Sequence, residues 1–315
     1  MSSEILIVRA QAAGPHYYDI VLQWLRVHHP QLGVHFDLCQ LPFQLPDESR
    51  YKLVVFWLQD PVHLISPPLA RAALALEQEC ETRGIPMFNP VTKHRNLGKV
   101  ESYRRLHEIG VKMPRAVSLE NPHALEEFSF PAIVREDHVH QGRFELINEP
   151  SKLDSLELSN FYEPVVSEFV GVRSGDGKHR KFRAIVAGRH VVSHHLQISW
   201  DWKTHGSARV ADLESREEEI AYISNPDPFE ATLLRAAEAL ELQFIAFDYG
   251  CLPGGEIVIW EGNQFPHLHF SKFSLVYRNF AMDRTIATMI RAYLETAGLT
   301  VPAKLMEQSD YEQDL

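Results

Sequence analysis

The chain has 315 residues, 45% hydrophobic and 23% charged, with 31 Lys and Arg against 42 Asp and Glu, a formal net charge of −11. Such a length implies about two or three domains and a sizeable core. The composition excludes a low-complexity chain, a membrane span of about 18 apolar residues and attraction of the whole protein to nucleic acid.

Ile5 to Val8 is a short apolar run and reads as a first buried strand, not as the apolar core of a signal peptide. Tyr18 to His28 carries Ile20, Val21, Trp24, Leu25 and Val27, a helix packed on a sheet. Val34 to Leu38 and Lys52 to Leu58 read as strands, Pro68 to Arg83 as a helix stopped by Gly84, and Ile85 to Pro90 as a further strand. The first ~90 residues are therefore expected to form a β-α-β-β-α-β layer with a largely parallel sheet. Lys93 to Gly110 is expected to be one helix, with Leu97, Val100, Tyr103, Leu106 and Ile109 on its inner face. Strands follow at 111–119, 131–135, 165–170, 181–187 and 190–199. A helix is expected at 228–240, strands at 244–249 and 256–261, and a last helix at 280–297. The residues after Ala303 are acidic and expected to fray. The three cysteines, Cys39, Cys80 and Cys251, are far apart, which fits neither a disulfide framework nor a zinc site and points to a reducing cytoplasm.

Three segments carry candidate chemistry. Phe247-Asp248-Tyr249 and Gly254 to Asn263 form two strands around a Pro-Gly-Gly turn, an antiparallel hairpin. With Gly254 and Gly255 as the turn pair, Asp248 falls opposite Glu261, and Asn263 shares the side of Glu261. Facing carboxylates repel unless a cation lies between them, and an all-oxygen set suits Mg²⁺. The alternative is a solvated pair on an open sheet face. In the second segment, Pro131 to Arg135 is an apolar strand ending in a cation, followed by the polar loop 136–143 with Gln141 and Gly142. It is either a polyphosphate site or a surface turn. The third segment is the hairpin 181–194. With Gly188-Arg189 as the turn, Arg183 faces His194 and Lys181 faces Leu196. Arg183 needs an anion, either a phosphate or an internal carboxylate. Lys99 alone reads as a plain solvated lysine. The paired histidines 138/140, 194/195 and 267/269 show no four-ligand zinc pattern. Trp200 to His205 lines either a substrate pocket or a corner of the core.

Taken in order, these pieces resemble the ATP-grasp superfamily of carboxylate–amine ligases, which includes glutathione synthetase, D-alanine–D-alanine ligase and the ribosomal-protein glutamate ligase. The resemblance spans about residues 85 to 295. It rests on Gly84 to Pro90, Lys99 with Leu106, Gly110 and Pro114, then Pro131 to Arg135, Val166 to Val170, Lys181 to Gly188, Phe247 to Tyr249 and Glu261 to Pro266. It implies an ATP-grasp fold, α/β and α+β, behind a Rossmann-like α/β domain. The implied division is 1–92 for that domain, 93–167 and 168–303 for the two ATP-grasp lobes, and 304–315 for an acidic tail. By the same resemblance Lys99, Arg135, Gln141 and Gly142 hold ATP phosphates. Glu168, Phe169 and Val170 form a hinge at the adenine edge, and Arg183 contacts the γ-phosphate or an acyl phosphate. Asp248 and Glu261 hold one Mg²⁺, and Glu261 and Asn263 a second. Arg135 stands where a lysine is commoner, and Lys181 where several peptide ligases carry Asp.

The expected activity is ATP-dependent joining of a small-molecule or peptide carboxylate to an amine or similar nucleophile. The alternatives are a phosphotransferase on the same fold and a nucleotide-binding regulator without turnover. No nucleic-acid or membrane partner is expected, and a homo-oligomer is left open.

Overall fold

A computed structural model describes residues 3–10, 17–42, 50–120, 128–138, 143–204 and 208–311. The first layer is a four-stranded sheet in the order β2-β1-β3-β4, from β1 (Ile5–Ala10), β2 (Phe36–Leu41), β3 (Leu53–Trp57) and β4 (Met87–Phe88). Every pairing in it is parallel, as the alternating pattern predicts. Helix α1 (Tyr17–His28) covers one face with Tyr18, Val21, Trp24 and Leu25. A single turn α2 (Val62–Ile65) leads into α3 (Pro67–Arg83), which covers the other face with Leu69, Ala73, Leu76 and Cys80. Ser66 caps α3 by accepting from the Leu69 N–H at 3.4 Å, and Gly84 ends it at φ +66°, a conformation that costs glycine little.

The helix expected over 93–110 is broken. A turn α4 (Val91–His94) and a 3-10 turn at Arg95–Leu97 precede α5 (Lys99–Glu108). The break turns the inner face, so Lys99, Ser102 and Leu106 are buried while Val100 and Tyr103 are only half-buried. Leu97 and Leu106 pack beside Leu233 and Ala236 of a later helix and Leu240 at its C-cap, so α5 rests on the core of the C-terminal sheet.

A second sheet, in the order β5-β8-β6-β7, is antiparallel. Its strands are β5 (Ala116–Ser118), β6 (Ala132–Glu136), β7 (Phe144–Ile147) and β8 (Pro164–Glu168). The short helix α6 (Ser151–Asp154) lies between β7 and β8, and Val134, Ile147 and Phe161 form a small core of their own. The third sheet, in the order β10-β9-β11-β12, joins β9 (His179–Ala187), β10 (His190–Ser199), β11 (Phe244–Cys251) and β12 (Ile257–Asn263), again antiparallel. Helices α7 (Leu213–Ser224) and α8 (Glu230–Ala239) connect β10 to β11. Sequence reading missed α7 because its apolar residues are few; Asp212 caps it, accepting from the Ser215 N–H at 2.8 Å. Helix α9 (Asn279–Thr296) is buried along most of its length. It joins the first and third sheets in one core with Trp57, Phe88, Ile185 and Phe244.

The tail does not fray as expected. Residues Ala303–Ser309 form α10, with Leu305 buried, and Tyr311 is tied down. The Tyr311 hydroxyl accepts from the Ser193 N–H at 2.7 Å, and the Arg284 guanidinium lies 4.0 Å from its ring centroid. Among the described residues no helix is long and apolar enough to cross a membrane.

Candidate active site

The site forms where the second and third sheets meet. Strand β8 ends at Glu168 in one sheet, and the chain re-enters the other at β9. Phe169 and Val170, expected within a strand, lie beyond its end in this crossover. Glu168 is exposed and bonded to the Arg115 backbone, donating through its N–H at 2.8 Å and accepting at 3.3 Å. The Val170 carbonyl accepts from Trp260 Nε1 at 3.2 Å, which fixes the crossover to β12. The Phe169 ring meets Trp202 edge-on at 5.1 Å, and Trp202 meets Phe144 of β7 at 6.4 Å. The 200–205 loop thus supplies a wall to the crossover through Trp202. Trp200 is exposed and fills no corner of the core, and His205 lies outside the described residues.

Asp248 and Glu261 do face each other across β11 and β12, but by a different route from the one the turn suggested. The loop is one residue longer, with the Leu252 N–H bonded to the Glu256 carbonyl at 2.8 Å, and Cys251 pairs with Ile257. A bulge between Ile259 and Glu261 absorbs Trp260 and restores the expected facing pair. Gly250 makes room for it, since a Cβ there would lie 2.3 Å from the Trp260 ring. Gly262 is equally constrained, because a Cβ would meet Ile245 at 2.6 Å and Leu97 at 3.0 Å. Residues 261 and 263 therefore turn away from the α8 core, toward the crossover. Asn263 Oδ1 accepts from the Phe265 N–H at 2.8 Å.

The two carboxylates do not simply repel. Arg183 holds Asp248 bidentately, Nε to Oδ1 at 2.5 Å and an Nη to Oδ2 at 2.8 Å, and Lys181 Nζ reaches Oδ2 at 3.0 Å. Burial alone would raise the Asp248 carboxyl, but Arg183 and Lys181 outweigh it and hold its pKa below the usual value. Of the two partners considered for Arg183, the structure shows the internal carboxylate. The expected facing of Arg183 with His194 and of Lys181 with Leu196 fails. A bulge between Ser193 and His195 shifts the register, so Arg183 faces His195 and Lys181 faces Gln197.

Lys99 is not a solvated lysine: it is buried at the start of α5, with Nζ 3.6 Å from Glu261 Oε1. Burial pushes its pKa down, Glu261 opposes this, and Arg135 adds to it. Arg135, near the end of the apolar strand β6, stands two residues before Asp137, which bonds the start of α5, and no ion pair joins it to another described residue. The other half of the phosphate expectation, Gln141 and Gly142, lies outside the described residues. Just before them, Asp137 grips the start of α5, accepting from the Lys99 N–H through its carbonyl at 3.4 Å and from the Val100 N–H through its carboxylate at 3.1 Å. His138 pairs with Asp137 at 2.9 Å and Glu163 at 3.5 Å; the Asp137 hydrogen bond outweighs burial and raises its pKa. The three could hold a metal ion, yet a histidine biased toward its protonated form is a poor ligand. Asp137, His138 and Trp260 were not foreseen. The only signal for the last was a large aromatic residue between Ile259 and Glu261 with a glycine, Gly250, on the partner strand.

Beyond Arg183 lies a second charged knot. Glu219 is fully buried and accepts from Arg209 at 2.7 Å, Tyr277 at 2.5 Å and the Leu196 N–H at 3.2 Å, with Arg278 at 2.6 Å. His194 and His195 sit between the two knots, Nδ1 to Nδ1 at 2.9 Å. Burial, then the charge of Arg183, pushes both pKa values down, His194 to about 3.

The cleft therefore brings Lys99, Arg135, Lys181 and Arg183 against Asp248 and Glu261, an excess of cations inside a protein of net charge −11. No family model matches the sequence, and no curated protein matches it. Solved structures do. The D-alanine–D-alanine ligase of Bacillus anthracis superposes with a TM-score of 0.57 at 13% identity, over 94% of this chain and 97% of that one. An ATP-grasp RimK domain protein from Sphaerobacter thermophilus gives 0.54 at 15% identity, over 92% and 99%. The macrocyclase MdnC of Microcystis aeruginosa, bound with its precursor peptide MdnA, gives 0.54 at 13% identity, over 87% and 97%. At these identities the likeness speaks for the fold alone: the chain has the ATP-grasp fold.

Proposed function

We propose that the chain is an ATP-dependent ligase that joins a carboxylate to an amine or similar nucleophile through an acyl phosphate. The observation that carries this reading is the cation-rich cleft around Asp248, Glu261 and Asn263 at the junction of two sheets. An acidic protein gathers buried cations in one place only where an anion is to be held. ATP lies against the crossover at Glu168, Phe169 and Val170, with Lys99 and Arg135 on its phosphates and Arg183 beside the γ-phosphate.

Asp248, Glu261 and Asn263 offer carboxylate and amide oxygens from one side of the hairpin, a donor set that fits Mg²⁺. The ion supplies charge neutralisation between ATP oxygens. In the first step a substrate carboxylate oxygen attacks the γ-phosphorus, the bond to the β-phosphate oxygen breaks, and ADP leaves with that electron pair. The amine nitrogen then attacks the acyl carbon, the carbon–oxygen bond to phosphate breaks, and the amine gives up a proton. Arg183 is the residue placed to neutralise the oxygens that gain charge in both steps. A peptide carboxylate is compatible with this site, as MdnC was solved with a precursor peptide.

The test is a screen of amino acids, small carboxylates and short peptides for ADP release, followed by mass analysis of the product. An amide supports the ligase. A phosphorylated acceptor without amide supports the phosphotransferase instead, and absence of substrate-dependent ADP release in the folded protein refutes both.

A further inference from the structure

An ionised carboxylate has about four lone-pair positions. On Asp248 three of them are taken, one on Oδ1 by Arg183 Nε and two on Oδ2 by an Arg183 Nη and Lys181 Nζ. The side chain is 8% exposed, so no rotation into solvent frees the rest. One position on Oδ1 remains. Glu261 and Asn263 lie two residues apart on β12; the Glu261 side chain is 26% exposed with Lys99 Nζ 3.6 Å away, and Asn263 Oδ1 accepts from the Phe265 N–H. This donor set completes one cation site, shared by Glu261, Asn263 and at most one oxygen of Asp248. It does not complete two.

The ammonium that fills the missing place is built into the fold. Arg183 pairs directly with Asp248 across β9 and β11, and Lys181 stands two residues away on the same face. It reaches Asp248 diagonally, Nζ to Oδ2 at 3.0 Å, beside the neighbouring position on β11, Gly250, over which the Trp260 ring lies. A second divalent ion on Asp248 would have to approach an ammonium already 3.0 Å from the same oxygen. In a site this buried that repulsion is strong.

We propose that the Lys181 ammonium takes the place of one divalent cation, so that the protein binds ATP with one metal ion where the resemblance implies two. The proposal rests on the ligase reading. Lysine suits the role because its charge is compact, carried on a flexible stem and able to donate three hydrogen bonds.

The experiment counts ions and needs no turnover. Mn²⁺ is titrated into the folded chain at saturating non-hydrolysable ATP analogue, and bound ion is read by electron paramagnetic resonance. The wild type is expected to bind one Mn²⁺ per chain. Lys181→Gln, which keeps the bidentate Arg183–Asp248 pair, is expected to bind two, with spectral broadening from the coupled ions. Lys181→Asp provides a second route to the same result. Two ions in the wild type, or one in both variants, overturns the proposal and leaves the ligase reading standing. A wild type that binds neither the analogue nor Mn²⁺ in its presence overturns that reading, and this proposal with it.

Discussion

Replacing Asp248 with Asn removes one charge and almost no volume, so its cost measures the electrostatics of the site directly. In the folded protein the substitution leaves Arg183 and Lys181 facing each other without their shared anion. Breaking a fully buried ion pair from one side costs about 3–5 kcal/mol. Here the cationic side chains keep 22% and 23% of their exposure and recover some hydration, so the expected loss is about 2–3 kcal/mol. Lys181→Met alone should cost less than about 1 kcal/mol, because Arg183 still satisfies both oxygens of Asp248. The informative variant is the double one. Once Asp248 is Asn, removing Lys181 removes one of two unpaired cations, and Asp248→Asn/Lys181→Met should be more stable than Asp248→Asn by about 1 kcal/mol. Urea titration followed by tryptophan fluorescence supplies all four corners of the cycle. If Asp248→Asn lies within about 0.5 kcal/mol of wild type, or the double variant is no better than the single, the cations do not depend on Asp248 and the argument fails. The pH dependence has a fixed sign. The folded Asp248 pKa is lowered, so its contribution is fully present above the unfolded value of 3.8 and is lost as the pH falls through the folded value.

Arg135→Ala should weaken binding of a non-hydrolysable ATP analogue by about tenfold, the loss of one charged contact, with no change in unfolding, since Arg135 has no ion pair among the described residues to lose; calorimetric titration decides it. His138, with its raised pKa, should hold the segment around Asp137 against α5 below about pH 6.5 and release it as the pH rises through the folded value, read as faster amide exchange at Val100 with Glu163→Gln shifting the midpoint downward. Tyr311→Ala should cost about 1–3 kcal/mol, because it leaves the Ser193 N–H unpaired and takes the ring from Arg284, whereas a frayed tail would show no change.

Much of the fold was legible because its periodicities are local. The parallel first sheet follows from apolar runs separated by helices, and its register follows from burial on both faces. What failed depended on contacts distant in sequence. The break at Gly98 carries no helix-breaking proline. It arises because Asp137 and His138 close on that glycine, where a Cβ would lie 2.4 Å from the His138 ring. The tail is acidic and reads as solvated, yet Tyr311 and Leu305 find partners on β10 and α9 that no local pattern encodes. Helix α7 is polar on most of its surface, and beside the buried Ile223 it is held by the buried Glu219 with two arginines and a tyrosine.

The hairpin shows how a correct pairing can conceal an incomplete reason. Turn chemistry placed Asp248 opposite Glu261, and the carboxylates do face each other, but two departures cancel: a longer loop and a bulge at Trp260. The neighbouring hairpin has one bulge and no compensation, so its pairings beyond the bulge shift by one residue. The bulges are where the site is made. At Ser193/His195 the shift puts His195 and Gln197, rather than His194 and Leu196, across from the cations that hold Asp248. At Trp260 it turns Glu261 and Asn263 away from the α8 core while the indole reaches the Val170 carbonyl, binding β12 to the crossover. The change at Trp260 was encoded by residues whose meaning is only spatial, Gly250 beside Trp260 and Gly262 against Leu97. The facing of Asp248 and Glu261 could therefore be read from the sequence, while the ion pairs around them could not. Arg183 and Lys181 meet Asp248 through the unbroken register of β9 and β11, strands far apart in sequence whose pairing no local pattern encodes.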